Sequence, residues 1–322
     1  MATVYTIGEA LIDFIPAEKG VALKDVSGFE KQAGGAPMNV ACAVTKLGGK
    51  SAFIGKLGVD AFGDHLLETM GEIGVDTSLV VRTKEANTAL AFVSLQADGN
   101  RQFSFYRNPS ADMLLSEDEI DARLFSTGDI LHYCSVDLIE APVKYAHRKA
   151  IAAASAAGCV VSFDPNVRLP LWSDEEECRR TILEFLPLSD IVKISDEELA
   201  FITGIEDEAE AIQSLFTGRV GHVIYTKGSK GAVWYTREFS AEAPGLRVEA
   251  IDTTGAGDAF IGSLLFQVHR AGGAEGLASL TEQSALEFLS FANAAAAITT
   301  TRRGAVSSLP TLEEAEEMLA KA

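Results

Sequence analysis

Asp252-Thr253-Thr254-Gly255-Ala256-Gly257-Asp258 joins a turn of small residues, a predicted helix start and a carboxylate at one point of the chain. Gly255, Ala256 and Gly257 let backbone N–H groups approach an anion closely. The helix they open, with Ala259, Phe260, Leu264, Leu265 and Val268 at helical spacing, adds its positive dipole end. Asp258, in the first turn, can take a proton from an attacking hydroxyl. Together they suit phosphoryl transfer to an alcohol. Taken alone, the same residues also suit an ordinary turn with a helix cap.

Three further groups have comparable chemistry. Gly34-Gly35-Ala36-Pro37-Met38-Asn39 pairs glycines before a helix with an amide that can both donate to and accept from hydroxyls. Asp164-Pro165-Asn166-x-Arg168 sets a carboxylate, an amide and a guanidinium just after a predicted strand, a cluster suited to phosphate and metal-bound water. Thr226-Lys227-Gly228-Ser229-Lys230-Gly231 follows another strand, with glycines that admit a nucleotide to the backbone. Each is equally readable as a plain loop. Gly49-Lys50-Ser51 resembles the end of a P-loop, but Val44 stands where its first glycine is needed. Gly255-x-Gly257 lacks the third glycine of a dinucleotide fingerprint, because Phe260 occupies that place, and protein-kinase signatures are absent. A dehydrogenase is therefore disfavoured.

The elements that must position these residues alternate along the chain. Val4–Ile7, Ser51–Ile54, Ile130–Tyr133, Val160–Phe163, Ile191–Ile194 and Val223–Thr226 read as strands. Ala36–Leu47, Asp64–Ile73, Ala141–Ala157, Asp174–Phe185, Asp196–Ile202 and Ala209–Phe216 read as helices. This order predicts an α/β fold with a mostly parallel sheet, helices on both faces and binding residues at the C-terminal strand ends. Thr88–Gln96 and Arg101–Tyr106, joined at Ala97-Asp98-Gly99-Asn100, read as a β-hairpin, and Gly20–Lys31 reads as extended. These pieces predict a small separate sheet whose apolar face needs cover from the core, a substrate or another subunit. Packing is the expected role of the alanine run Ala292–Ala297.

Composition narrows the partners. The 322 residues carry a net charge of −19, which disfavours nucleic acid and anionic membranes and leaves any bound phosphate to local donors. Cys42, Cys134, Cys159 and Cys178 form no paired motif and read as reduced thiols, and the scattered histidines make no zinc-type cluster. Glu9, Asp13 and Glu18 interrupt the N-terminus where a signal peptide needs an apolar core, and no run is long enough to span a bilayer. A cytoplasmic protein is expected.

With Gly34, Gly35 and Asn39 in a Gly-Gly-x-x-x-Asn pattern and Asp252 to Asp258 in an Asp-Thr-x-Gly-Ala-Gly-Asp pattern, the chain resembles the ribokinase/PfkB family of carbohydrate kinases over almost its whole length. Ser263 departs from the family's usual Ala or Gly, past the catalytic residues. The resemblance implies a ribokinase-like, doubly wound main domain at 1–15, 33–86 and 107–322, with a β lid at 16–32 and 87–106. It implies ATP and Mg²⁺, and transfer of the γ-phosphoryl group to a primary hydroxyl with Asp258 as general base. Gly255, Ala256, Gly257 and Arg168 would then stabilise the transferring charge.

Gly8–Asp13 and Phe105–Asp112 look most like fructokinases, and 2-keto-3-deoxygluconate kinases are similar there. Asp13, Gly34, Gly35, Asn39 and Phe105 are accordingly expected around the sugar, with Arg107 reaching in from the lid. Lys193, Ser195, Thr226, Gly228, Gly231 and Asn293 are expected along ATP. Glu198 is expected to act indirectly on magnesium, with Ser195 replacing the usual Asn of the family's Asn-x-x-Glu element. Asp252, Thr254, Thr299, Arg302, Gly304 and Ser308 match the positions where family members hold a monovalent cation such as K⁺. A homodimer through the lid, and an inert sugar-sensing relative of the kinases, remain as further readings.

Overall fold

A computed structural model describes residues 2–16, 18, 20–95 and 101–321. Its larger sheet runs, in spatial order, through β13 (Ser240–Pro244), β12 (Gly231–Tyr235), β11 (His222–Thr226), β10 (Ile191–Ser195), β9 (Val160–Asp164), β8 (Ile130–Cys134), β1 (Val4–Ile7), β4 (Ser51–Gly58) and β5 (Val80–Thr83). From β5 to β11 the neighbours are parallel, whereas β12 and β13 close the far edge as an antiparallel pair. The central strands are apolar runs buried on both faces, as parallel sheets require.

Alternate side chains of those strands feed two cores. Tyr133, Phe163 and Ile194 point to one face, under α3 (Pro142–Ala156), α4 (Glu175–Phe185), α5 (Asp196–Thr203) and α6 (Glu208–Ser214). Val4, Ile130, Val160 and Ile191 point to the other, under α1 (Ala36–Lys46), α7 (Ala256–Arg270) and α9 (Glu282–Thr300). The remaining helices are α2 (Ala61–Ile73), α8 (Ala274–Ala278) and α10 (Leu312–Ala320). The alanine run packs as expected: Ala292, Ala294 and Ala295 are buried where α9 lies against α7.

A small sheet of order β3 (Phe29–Gly34), β2 (Leu11–Pro16), β6 (Ala89–Leu95) and β7 (Arg101–Tyr106) stands apart from the larger one. Its boundaries differ from the expectation. Leu11–Ile15 and Ala33–Gly34, assigned from sequence to the main domain, are strands of this sheet, because β2 pairs with both β3 and β6 along its length. Gly20–Lys31 is not extended throughout, since Leu23–Asp25 forms a 3₁₀ turn and the strand starts at Phe29. The predicted turn Ala97-Asp98-Gly99-Asn100 lies outside the described residues, while β6 and β7 on either side of it pair antiparallel.

Alternation gives the small sheet two faces. Leu11, Ala89, Ala91 and Phe105 share one. Phe14 on the other stacks on Phe92 at 4.8 Å and meets Phe29 edge-on, and Phe62 of α2 covers Phe14 at 5.7 Å. Cover for this face thus comes partly from the main domain, and Tyr106 at its margin stays exposed.

Asp60 fastens the main domain to the start of β6. Its carboxylate caps α2 by accepting from the N–H groups of Phe62 and Gly63, and it accepts from both the N–H (2.8 Å) and hydroxyl (2.9 Å) of Thr88. Partial burial pushes the Asp60 pKa up, but the hydrogen bonds outweigh it and hold the carboxyl below its ordinary 3.8. The stabilisation is therefore complete above 3.8 and fades as pH falls through the lower folded value. Asp60→Ala is expected to lose about 1–2 kcal/mol in urea unfolding at pH 7, with the gap from wild type closing below that range. No gap at pH 7, or an equal gap in acid, would contradict this assignment.

Candidate active site

The C-terminal ends of β9 and β10, the start of α7, the start of α1 and one face of the small sheet border a cleft of about 420 Å³. Open parallel sheets bind ligands at this edge because loops, not packed helices, follow the strand ends. Asp258 lies in the cleft wall, and its side chain is fixed from two sides. Asn39 Nδ2 donates to one carboxylate oxygen at 2.8 Å and Asn166 Nδ2 to the other at 3.3 Å. Burial raises the Asp258 pKa, while the Asn39 hydrogen bond and the nearby Arg168 and Lys193 charges pull it back. A carboxylate so balanced can still ionise and can accept a proton more readily than an exposed aspartate.

Gly255 caps α7 in the left-handed conformation, φ 75°, and a β-carbon there would come within 3.0 Å of Ala305. Gly257 leaves a different space open. A β-carbon on it would stand 3.6 Å from Lys193 Nζ, so the glycine keeps clear the gap between the helix N-terminus and a buried ammonium. A helix N-terminus facing a buried ammonium is a setting that favours an anion. Lys193 is held by Asp164 at 2.9 Å. Burial lifts the Asp164 pKa to about 6 against the pull of that ammonium.

Glu198 is fully engaged by protein. Its oxygens accept from the N–H of Val167 (2.8 Å) and from the N–H and hydroxyl of Ser195 (3.0 and 2.8 Å). Ser195, in place of the expected Asn, is thereby the cap of α5, with Glu198 completing a capping box. Burial opposes its charge, but Lys193 and these hydrogen bonds hold the Glu198 carboxyl below its ordinary value. Among the described residues no group of three or more acidic, histidine or cysteine side chains could cage a metal. A carboxylate with both oxygens committed fits an indirect role toward an ion that phosphates carry.

Half of the expected site residues meet in this cleft. Asp13 and Phe105 line it from the small sheet, Gly35 and Asn39 from the start of α1, and Arg168, Lys193, Ser195, Glu198, Thr254, Gly255, Gly257 and Asp258 line the rest. Gly34 packs behind, where a β-carbon would strike the Asp13 carboxylate, and Ala256 is the first residue of α7. Thr226 pairs in register with Ser195 at the same sheet edge, and Gly228 opens the turn that follows.

Others sit elsewhere. Arg107 is not on the cleft wall, because Asp112 and Asp137 both hold its Nη2 beneath the surface. Gly231 is required by the β12–β13 pairing, since a β-carbon there would lie 2.1 Å from the Ala243 carbonyl oxygen. Asn293 Nδ2 donates to the Ala243 and Pro244 carbonyls, tying α9 to the same strand. Asp252 accepts from Thr254 and from the Gly304 N–H, joining two of the expected cation loops. Thr299 and Ser308 hydroxyls bond to Ala295 and Ala305 carbonyls within the same region, while the Arg302 side chain turns away to pair with Glu314.

A family model for the pfkB family carbohydrate kinases matches residues 1–312. This chain belongs to that family. Among the curated relatives of this pfkB family kinase, Fructokinase-2 of Zea mays is 45% identical over 320 residues, 99% of this chain and 94% of that protein. A crystal structure of fructokinase with bound ATP from Xylella fastidiosa superposes with a TM-score of 0.91 at 37% identity, covering 99% of this chain and 98% of that one. Fructokinase from Vibrio cholerae O395, in its fructose, ADP and calcium ion bound form, gives 0.89 at 35% identity with 99% of both chains covered.

The pfkB family kinase also carries two cleft residues, Glu9 and Asn166, to which the sequence assigns no place in the site. Glu9 is visible in sequence as a charge interrupting an apolar start and as a member of the Gly8–Asp13 segment, and the structure shows it lining the cleft and accepting from the Ala36 N–H at 2.9 Å. Asn166 takes a left-handed φ of 46°, which aims its amide back at Asp258. The sequence places this amide in the Asp164-Pro165-Asn166-x-Arg168 cluster, but not its bond to Asp258. Asn39→Leu removes the donor to Asp258 Oδ2, so the Asp258 midpoint should move upward in a carboxyl ¹³C NMR titration. An unmoved midpoint would show that the amide does not hold the charge.

Proposed function

We propose that this protein transfers the γ-phosphoryl group of ATP to O6 of D-fructose, giving fructose 6-phosphate. The observation that carries the reading is the buried Asp258 at the mouth of α7, set between the Asn39 amide and the Gly257–Lys193 gap in a carbohydrate kinase whose curated relatives are fructokinases. Membership of the family gives phosphoryl transfer to a carbohydrate, and the relatives' names favour fructose.

Asp258 would orient the attacking hydroxyl and take its proton. The N–H groups of Gly255, Ala256 and Gly257, with Arg168 and Lys193, would hold the charge on the transferring group, the contribution expected to dominate phosphoryl transfer. Asp13, Asn39, Gly34, Gly35 and Phe105 would surround the sugar. Ser195, Thr226 and Gly228 would border the nucleotide, with Gly231 and Asn293 supporting that border through β13.

Mg²⁺ bound with ATP neutralises phosphate charge. Glu198 would act on it through water, since both its oxygens are taken. A monovalent cation, K⁺, would sit among oxygens of the loops that Asp252 and Gly304 join. The charge of −19 and the two-core α/β fold favour a cytoplasmic location, and among the described residues no helix is long and apolar enough to cross a membrane.

Purified protein with ATP and a panel of fructose, 2-keto-3-deoxygluconate and ribose should show its highest kcat/KM with fructose. A clear preference for another sugar would overturn the substrate while leaving the kinase. Asp258→Asn is expected to lower kcat by about 10²–10⁴-fold while fructose still binds in calorimetry. Near-normal turnover in that variant would remove Asp258 from the base role.

A further inference from the structure

Four buried charged groups that the proposed chemistry does not use meet where the small sheet joins the main domain. Glu9 lies in the connection from β1 to β2 and is 2% exposed. Arg107 follows directly on β7, and Asp112 and Asp137 follow in the main domain, all nine-tenths buried or more. Asp112 and Asp137 share Arg107 Nη2. Arg107 Nε and Nη1, Glu9 Oε2, Asp112 Oδ1 and Asp137 Oδ2 have no hydrogen-bond partner.

Three carboxylates buried with one guanidinium are a costly arrangement. Burial pushes Glu9 up to about 7 and Asp137 well above its usual range, and Arg107 pulls both back. Apolar packing would be easier to build there, so the placement of the group calls for a reason.

That reason lies in the connections. The chain passes between the domain and the small sheet at four places, and each is tied near this cluster. Glu9 Oε1 accepts from Ala36, fixing the first crossing to the second, where Gly35 and Asn39 follow. The Ala111 N–H donates to the Asn87 carbonyl at 2.8 Å, fixing the fourth crossing to the third. Asp137 then joins the two pairs: one oxygen takes Arg107 Nη2 at the fourth crossing, and the other lies against the first, 3.8 Å from where a β-carbon on Gly8 would stand.

We propose that Glu9, Arg107, Asp112 and Asp137 form an ionic clasp that sets the small sheet's angle to the main domain and so positions the sugar site, without touching the nucleotide. Asp13 and Phe105 enter the cleft from the small sheet, while Asn39 and Asp258 enter from the main domain. Only a fixed angle brings them together. The lysine, serine and glycines of the nucleotide border all come from the main domain and do not depend on it.

This inference rests on the kinase reading above, so wild-type turnover with the best sugar of the panel is established first. Failure there concerns the activity and not the clasp. Asp137→Asn should then raise the sugar KM by about tenfold or more, with the ATP KM changed less than about twofold, since a uniform loss of sugar binding acts on KM. Glu9→Gln, which keeps the acceptor for Ala36 but loses the charge facing Arg107, should raise it by a smaller factor.

Hydrogen exchange of the sugar-free proteins gives a readout independent of turnover. Amides of β2 and β6 should exchange faster in both variants, with those of β8 and β9 unchanged. Equal rises in both KM values, or unaltered exchange in the small sheet, would overturn the clasp. If Asp137→Asn does not fold, Glu9→Gln decides by the same two measurements.

Discussion

Burial of the Asp258 carboxylate is the constraint from which the rest of the site follows. A charge removed from water is tolerated only with nearby donors and opposite charge, and α7 by itself offers Asp258 only its own N-terminal dipole. The donors come from the start of α1 and the loop after β9, and the cations from β10 and that same loop. Each must end at the same point in space. Parallel strands in register achieve this, because their C-terminal ends lie along one edge and every following loop starts there. The two apolar cores hold that edge straight, and the chemistry is placed where they stop.

Local patterns revealed the parts of this arrangement that are local. The glycine turn before α7 needs left-handed backbone at Gly255 and an open gap at Gly257, and both needs are written in residue type. The central strands are equally legible as short apolar runs between turn signals. Each runs one residue further in the structure, to Cys134, Asp164 and Ser195, because the ladder continues there: Cys134 pairs with Asp164 and Ser195 with Thr226.

What stayed hidden depends on distant partners. β12 and β13 have weak patterns, the latter alternating alanine with polar residues, and their pairing is visible only once β11 offers an edge. The family resemblance sets Gly231 and Asn293 along the nucleotide, and only the fold shows that each is also bound up with β13. Arg107 looked like a hand reaching for the sugar. Two acidic residues downstream in sequence, Asp112 and Asp137, draw it inward, and neither stands out until the fold brings them to it.

The hydrogen bond from Asn39 to Asp258 spans 219 positions of sequence. A chain emerging residue by residue from a ribosome, folding from its N-terminal end, would make its Gly34–Asn39 turn and every strand of both sheets while the carboxylate was still unmade. No early-folded portion can therefore carry out half of the reaction. Competence arrives late, since a fragment cut short before α7 lacks both the Asp258 carboxylate and the helices α7 and α9 that, with α1, cover one face of the larger sheet.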